Sequence, residues 1–224
     1  MPTTHGRTRW ARRAVIASVA TFALLMSSAM ALYPGGTWCD ERTIGHRFWK
    51  NYLCDLTWET TLGGGDNHRG AIAARAAMVA LAIGLGLTWR LAARAGAGGA
   101  TSRVVSACAP IAVAGMIAVT ILSSETMGRL HGAVVLAAAG PGLVATGLSV
   151  RLLARAEARP RVMTALGVAM MLVGALDLAL YTWHLARPAG CDPWTPLVQK
   201  VALAMVLQWM LFVASRAGHL AKRV

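Results

Sequence analysis

Residues 14–40 read AVIASVATFALLMSSAMALY followed by PGGTWCD: an uncharged run, then a proline, two glycines and the first polar cluster. An α-helix rises about 1.5 Å per residue and a bilayer's hydrocarbon core is about 30 Å thick, so a run of this length can cross it. Tyr33-Pro34-Gly35-Gly36 then stops the helix and turns the chain. Outward from this stretch the pattern recurs, and spans are predicted at about 14–33, 71–89, 104–122, 131–150, 162–185 and 197–215. Hydrophobic residues make up 56% of the chain and charged residues 14%, against about 25% charged in soluble domains. The connections are short except for 34–69. The expectation is an all-α polytopic membrane protein, one six-helix bundle over residues 1–224, with an extracytoplasmic cap between helices 1 and 2.

The formal net charge of +13 invites a nucleic-acid reading, but its distribution argues against one. Basic residues concentrate in alternate loops: Arg7, Arg9, Arg12 and Arg13; Arg90, Arg94 and Arg103; Arg151, Arg155, Arg159 and Arg161; Arg216, Lys222 and Arg223. The opposite loops hold only Arg42, Arg47, Lys50, Arg69, Arg129 and Arg187. This bias orients both termini to the cytoplasm of a bacterial inner membrane. The excess then attracts anionic lipid headgroups. Membrane lipids, and a protein partner within the membrane, are the partners this suggests. The Arg-rich start and Ala29-Met30-Ala31 also resemble a secretory signal with its cleavage site. The run up to Tyr33 is long for that role, so a retained span is the expectation.

The cap carries five of the nine carboxylates, Asp40, Glu41, Asp55, Glu59 and Asp66, together with His46 and His68. Within it, Phe48–Thr60 has helical spacing: Trp49, Leu53 and Leu56 share one face, and Asn51, Asp55 and Glu59 another. A short amphipathic helix in the outer interface is expected there, with Trp38, Trp49 and Trp58 as belt residues. Asp66-Asn67 should cap the second span, Glu125 should cap the fourth, and Pro141 should kink it. Cys39, Cys54 and Cys191 lie on the outer side, where disulfides form. Cys39 with Cys191 is the pairing favoured, because each neighbours a Trp and an Asp near a helix end; three free thiols is the alternative.

Ionisable side chains within spans are costly and face an interior or a wet cavity. Arg75, Glu125, His131, Asp177, His184 and Lys200 all fall in the outer third of their spans. Asp177 and His184 are seven residues apart, on one helical face. The bland readings are an Arg75–Asp177 ion pair, interfacial histidines and turn-forming Asn51 and Asp55. The sharper reading joins Asn51, Asp55, Asn67, Arg75, His131, Asp177 and His184 around one outer-leaflet pocket. His131, Asp177 and His184 offer ligands that would suit a divalent metal such as zinc as cofactor. No H-E-x-x-H, G-x-S-x-G, P-loop or dinucleotide fingerprint is present.

The cap run F-W-K-N-Y-L-C-D-L, Phe48 to Leu56, follows Y-P-G-G-T-W. It resembles the bacterial six-span membrane-protein family labelled domain of unknown function 998. Gly65-Asp66-Asn67 with Gly70, and His131-Gly132 with Gly140-Pro141-Gly142-Leu143, are similar to further motifs of that family. The resemblance covers the whole chain and implies a fold without an established activity. A more distant similarity is to the alkaline-ceramidase-like hydrolases, whose zinc is held by Ser, Asp and His within the spans. Ser123, Ser124, His131, Asp177 and His184 would take those parts, but the paired histidines and the seventh span are missing. Three functions follow: a pocket binding a lipid or small amphiphile, a metal-assisted hydrolase of a lipid-like ester or amide, and a non-catalytic accessory subunit.

Overall fold

The computed structural model describes residues 4–95, 98–156, 160–186 and 191–220. Arg159, Arg187, Lys222 and Arg223, used in the charge bias, lie outside them. The elements in order are α1 (Thr4–Leu32), β1 (Gly35–Thr37), β2 (Asp40–Ile44), a 3-10 turn (Cys54–Thr57), α2 (His68–Ala95), α3 (Ala100–Ile121), α4 (Ser124–Met127), α5 (Arg129–Ala156), α6 (Pro160–Ala186) and α7 (Thr195–Leu220). Among the described residues, six helices are long and apolar enough to span a membrane: Thr8–Leu32, His68–Ala95, Ala100–Ile121, Leu130–Ala156, Arg161–Ala186 and Thr195–Arg216. The chain is thus an all-α, multi-pass membrane protein.

Periodicity explains how α1 enters the bundle. Ala11, Val15, Val19, Phe22, Met26, Ala29 and Tyr33 recur every three or four residues and are all buried. They pack chiefly on α2, which sits centrally and also touches α3, α5 and α7. Small residues permit these close approaches, as expected where lipid supplies no hydrophobic drive. A side chain at Gly84 would run into Met210 of α7 and Ser18 of α1, so three helices meet there. At Gly115 of α3 a Cβ would lie 3.0 Å from the backbone of Ala138 on α5. By contrast, α6 packs on α5 and α7 alone in the main helix contacts. Its Leu166, Val168, Leu172 and Leu176 are exposed and available to lipid. Pro141 lies inside a continuous α5.

The cap departs from expectation. The stretch 48–60 forms turns and the single 3-10 turn, not an amphipathic helix. Before it, β1 and β2 pair antiparallel, with Thr37 opposite Asp40 and Trp38-Cys39 at the tip. This hairpin depends on two glycines. Gly36 has φ +92°, and a Cβ there would lie 2.2 Å from the backbone nitrogen of Gly63; only glycine allows both. Glu125 also takes another role. Its carboxylate accepts the backbone N–H of Glu59 (2.8 Å) and Thr60 (3.1 Å), tying the cap to α4. We expect Glu125→Ala to cost about 1 kcal/mol, since water reaches these groups. Hydrogen exchange should show faster exchange of the 59 and 60 amides while the spanning helices stay protected.

Candidate functional site

The hairpin tip sends its two residues in different directions. Cys39 forms a disulfide with Cys191, the residue four before α7 begins, with Cα atoms 4.5 Å apart. Trp38 turns beneath the cap, where its indole N–H donates to Asp55 Oδ1 at 3.1 Å. The other Asp55 oxygen accepts the Tyr52 backbone N–H at 2.8 Å and the Asn51 amide at 3.4 Å. Asp55 is only 2% exposed. Burial pushes its carboxyl up to about 6; the hydrogen bonds from Trp38, Tyr52 and Asn51 and the charge of Lys200 hold it from rising further.

Asp55 therefore sits behind a wall of rings. Trp38 packs edge-on against Trp58 (centroids 5.9 Å, 82°) and against His184 (5.7 Å, 79°). Tyr52 lies over His184 at 5.3 Å, and its hydroxyl donates to Asp192 Oδ2 at 3.4 Å. Asp192 caps α7 by accepting the backbone N–H groups of Trp194 and Thr195 and the Thr195 hydroxyl. Burial would raise its carboxyl, but those bonds and the nearby His184 outweigh it and hold it below its ordinary value. Trp58 donates to Ser124 Oγ at 2.8 Å, which fixes the wall to α4.

These rings enclose a partly open cavity of about 230 Å³ at the C-terminal end of α6. Asp55, Cys54 and Ser124 supply its polar lining, with Tyr181, His184 and Leu185 from α6 and Gly128 between α4 and α5. The Cys54 thiol is pushed up to about 12, mainly by burial and then by the Asp55 charge. It is thus a neutral thiol at physiological pH.

Of the seven residues expected around one pocket, Asp55 and His184 line this cavity and five do not. Asn51 braces the cap: its amide reaches the Gly36 carbonyl (2.8 Å), its Oδ1 accepts the Arg47 N–H (2.9 Å), and its own carbonyl accepts Lys200 Nζ (2.5 Å). Asn67 donates to the carbonyls of Leu56 (3.2 Å) and Trp58 (2.8 Å). Its side chain thus ties the loop in place and caps no helix. Arg75 pairs with Glu59 at 2.7 Å and the Thr57 carbonyl at 2.8 Å, not with Asp177. The Glu59 carboxyl is held low, chiefly by His68 at 2.8 Å and also by Arg75.

His131 is buried with Nδ1 2.5 Å from the Leu122 carbonyl, which fixes it at the start of α5. Asp177 lies two helical turns, about 10 Å, below His184. His131, Asp177 and His184 consequently do not converge. Among the described residues, no group of three or more His, Cys, Asp and Glu is placed to hold a metal ion. The expectation of a zinc ligand set is corrected on that geometry.

The spacing argument did not single out Trp38, Tyr52, Trp58 or Tyr181 as site residues. Tryptophan and tyrosine at helix ends read as belt residues, and only the hairpin brings Trp38 inward. Gln199, whose side chain accepts the Leu53 N–H at 2.9 Å, gives no sequence signal. Comparison with known proteins returns no matching family model, no matching curated protein and no matching solved structure.

Proposed function

We propose that this multi-pass protein sits in a bacterial inner membrane with both termini cytoplasmic and takes a lipid or small amphiphile into its outer-leaflet cavity. The observation that carries the reading is the aromatic cavity of about 230 Å³ beside helices that face lipid. Met127 and Leu130 on one flank and Trp183 on the other are 39%, 55% and 59% exposed. An acyl chain could lie along them while the polar end occupies the cavity, the mix of apolar lining and few polar groups that small-molecule sites use. Kinship with the domain of unknown function 998 family is part of the same proposal and rests on the motif residues alone.

Filling the cavity tests the reading. Wild-type protein stripped of lipid should rebind lipid from a native membrane extract, seen as discrete mass adducts by native mass spectrometry. Leu185→Trp should fold and lose those adducts, because the larger ring takes the space. Equal adducts in the two proteins would sink the assignment of this cavity.

A further inference from the structure

The nature of the walls narrows what the cavity can hold. A phosphate or carboxylate would meet the Asp55 carboxylate, and among the described residues no arginine or lysine lines the cavity to receive it. Around this level the described carboxylates Asp55 and Asp177 share one buried cation, Lys200, whose Nζ is tied to the Asn51 carbonyl, and Asp192 lies 3.9 Å from His184. The local balance therefore favours a positive guest. It also disfavours a small, strongly hydrated one, since both Asp55 oxygens are already hydrogen-bonded by protein donors. What is left for a guest is a set of ring surfaces meeting near right angles, with a negative charge directly behind them.

Ring faces carry the negative part of an aromatic quadrupole and attract a cation over them, most strongly when both are out of water. A quaternary ammonium suits this wall because it is bulky, keeps its charge at every pH and requires no hydrogen-bond acceptor. We propose that the cavity is an aromatic cage for a quaternary ammonium group, held among Trp38, Tyr52, Trp58 and Tyr181 with Asp55 as counter-charge. The inference rests on the amphiphile-binding reading and specifies the polar end of that amphiphile. A lipid headgroup and a free small solute could both present this chemistry.

The test is a tryptophan-fluorescence titration of the full-length detergent-solubilised protein. The probes are choline, its uncharged isostere with carbon in place of nitrogen, a long-chain trimethylammonium amphiphile, and the chain-matched neutral alcohol. Each cation should bind roughly tenfold or more tightly than its neutral match. Asp55→Asn should weaken the cations and leave the neutral probes unchanged. Tyr181→Leu, which removes a ring without touching the cap's hydrogen bonds, should do the same. If choline suffices, the source is a soluble solute; if only the long-chain cation binds, it is a lipid; either outcome supports the cage. Equal binding of cation and neutral match would overturn the cage and leave the amphiphile site standing. Binding of none of the four would overturn both.

Discussion

Replacing Cys39 and Cys191 together by Ser should lower stability by about 2–5 kcal/mol, because the bond closes a very long loop in the unfolded chain. The two residues are 152 apart in sequence. For a protein of this size the loss corresponds to a fall in Tm of roughly 5–15 °C. Thermal unfolding in detergent, with and without a thiol reductant, measures it. The reductant should reproduce the double variant's shift in the wild type and leave the variant unmoved. Alkylation under denaturing conditions should label Cys54 and Cys108 without reductant, and all four cysteines after it. A reductant-insensitive Tm would overturn the claim that this bond holds the cap.

Asp55→Ala should be of comparable severity, at about 3–5 kcal/mol. It leaves the Tyr52 N–H, the Trp38 indole and the Asn51 amide without their shared acceptor in a buried place. Asp55→Asn should cost less, since a carbonyl oxygen remains, and it carries a pH signature. With its carboxyl near 6 instead of the ordinary 3.8, folded Asp55 holds more protons than unfolded Asp55 between those values. Its contribution to stability therefore falls as pH rises through that window. Wild type should gain stability relative to D55N when pH is lowered from 7 to 4. Glu59 and Asp192, both held low, lose stability on acidification, but they are present in both proteins and cancel in the difference. Parallel pH–Tm curves for the two proteins would refute the account of Asp55.

The six spans were readable because membrane insertion imposes a one-dimensional constraint: length and apolarity suffice, and neither requires knowing a neighbour. The cap was not readable in that way. Asn51, Asp55 and Glu59 have helical spacing, yet Asn51 and Asp55 turn inward to satisfy loop backbone, while Glu59 turns outward to Arg75 and His68. Their regular interval comes from serving consecutive turns, so the period misled. Arg75 shows the same limit. Its charge called for a carboxylate, and at least two stood at a suitable depth; only the folded path of 57–59 decides for Glu59 over Asp177. The hairpin was hidden because DERTI, Asp40–Ile44, is largely exposed and shows no alternation. Its formation depends on Gly35-Gly36 meeting Gly63, a contact that no local pattern announces.

The position of the two cysteines also sets a schedule for biogenesis. Between them in the chain lie α2, α3, α4, α5 and α6. On the proposed orientation, with the cap on the outer face, Cys39 would cross the membrane early and stay unbonded until the fifth span has been threaded and Cys191 follows. Oxidation would then act as a late seal on assembly. Until then the hairpin tip beside Trp38 has no covalent tie to the segment before α7, and the cap rests on its hydrogen bonds and ring contacts alone.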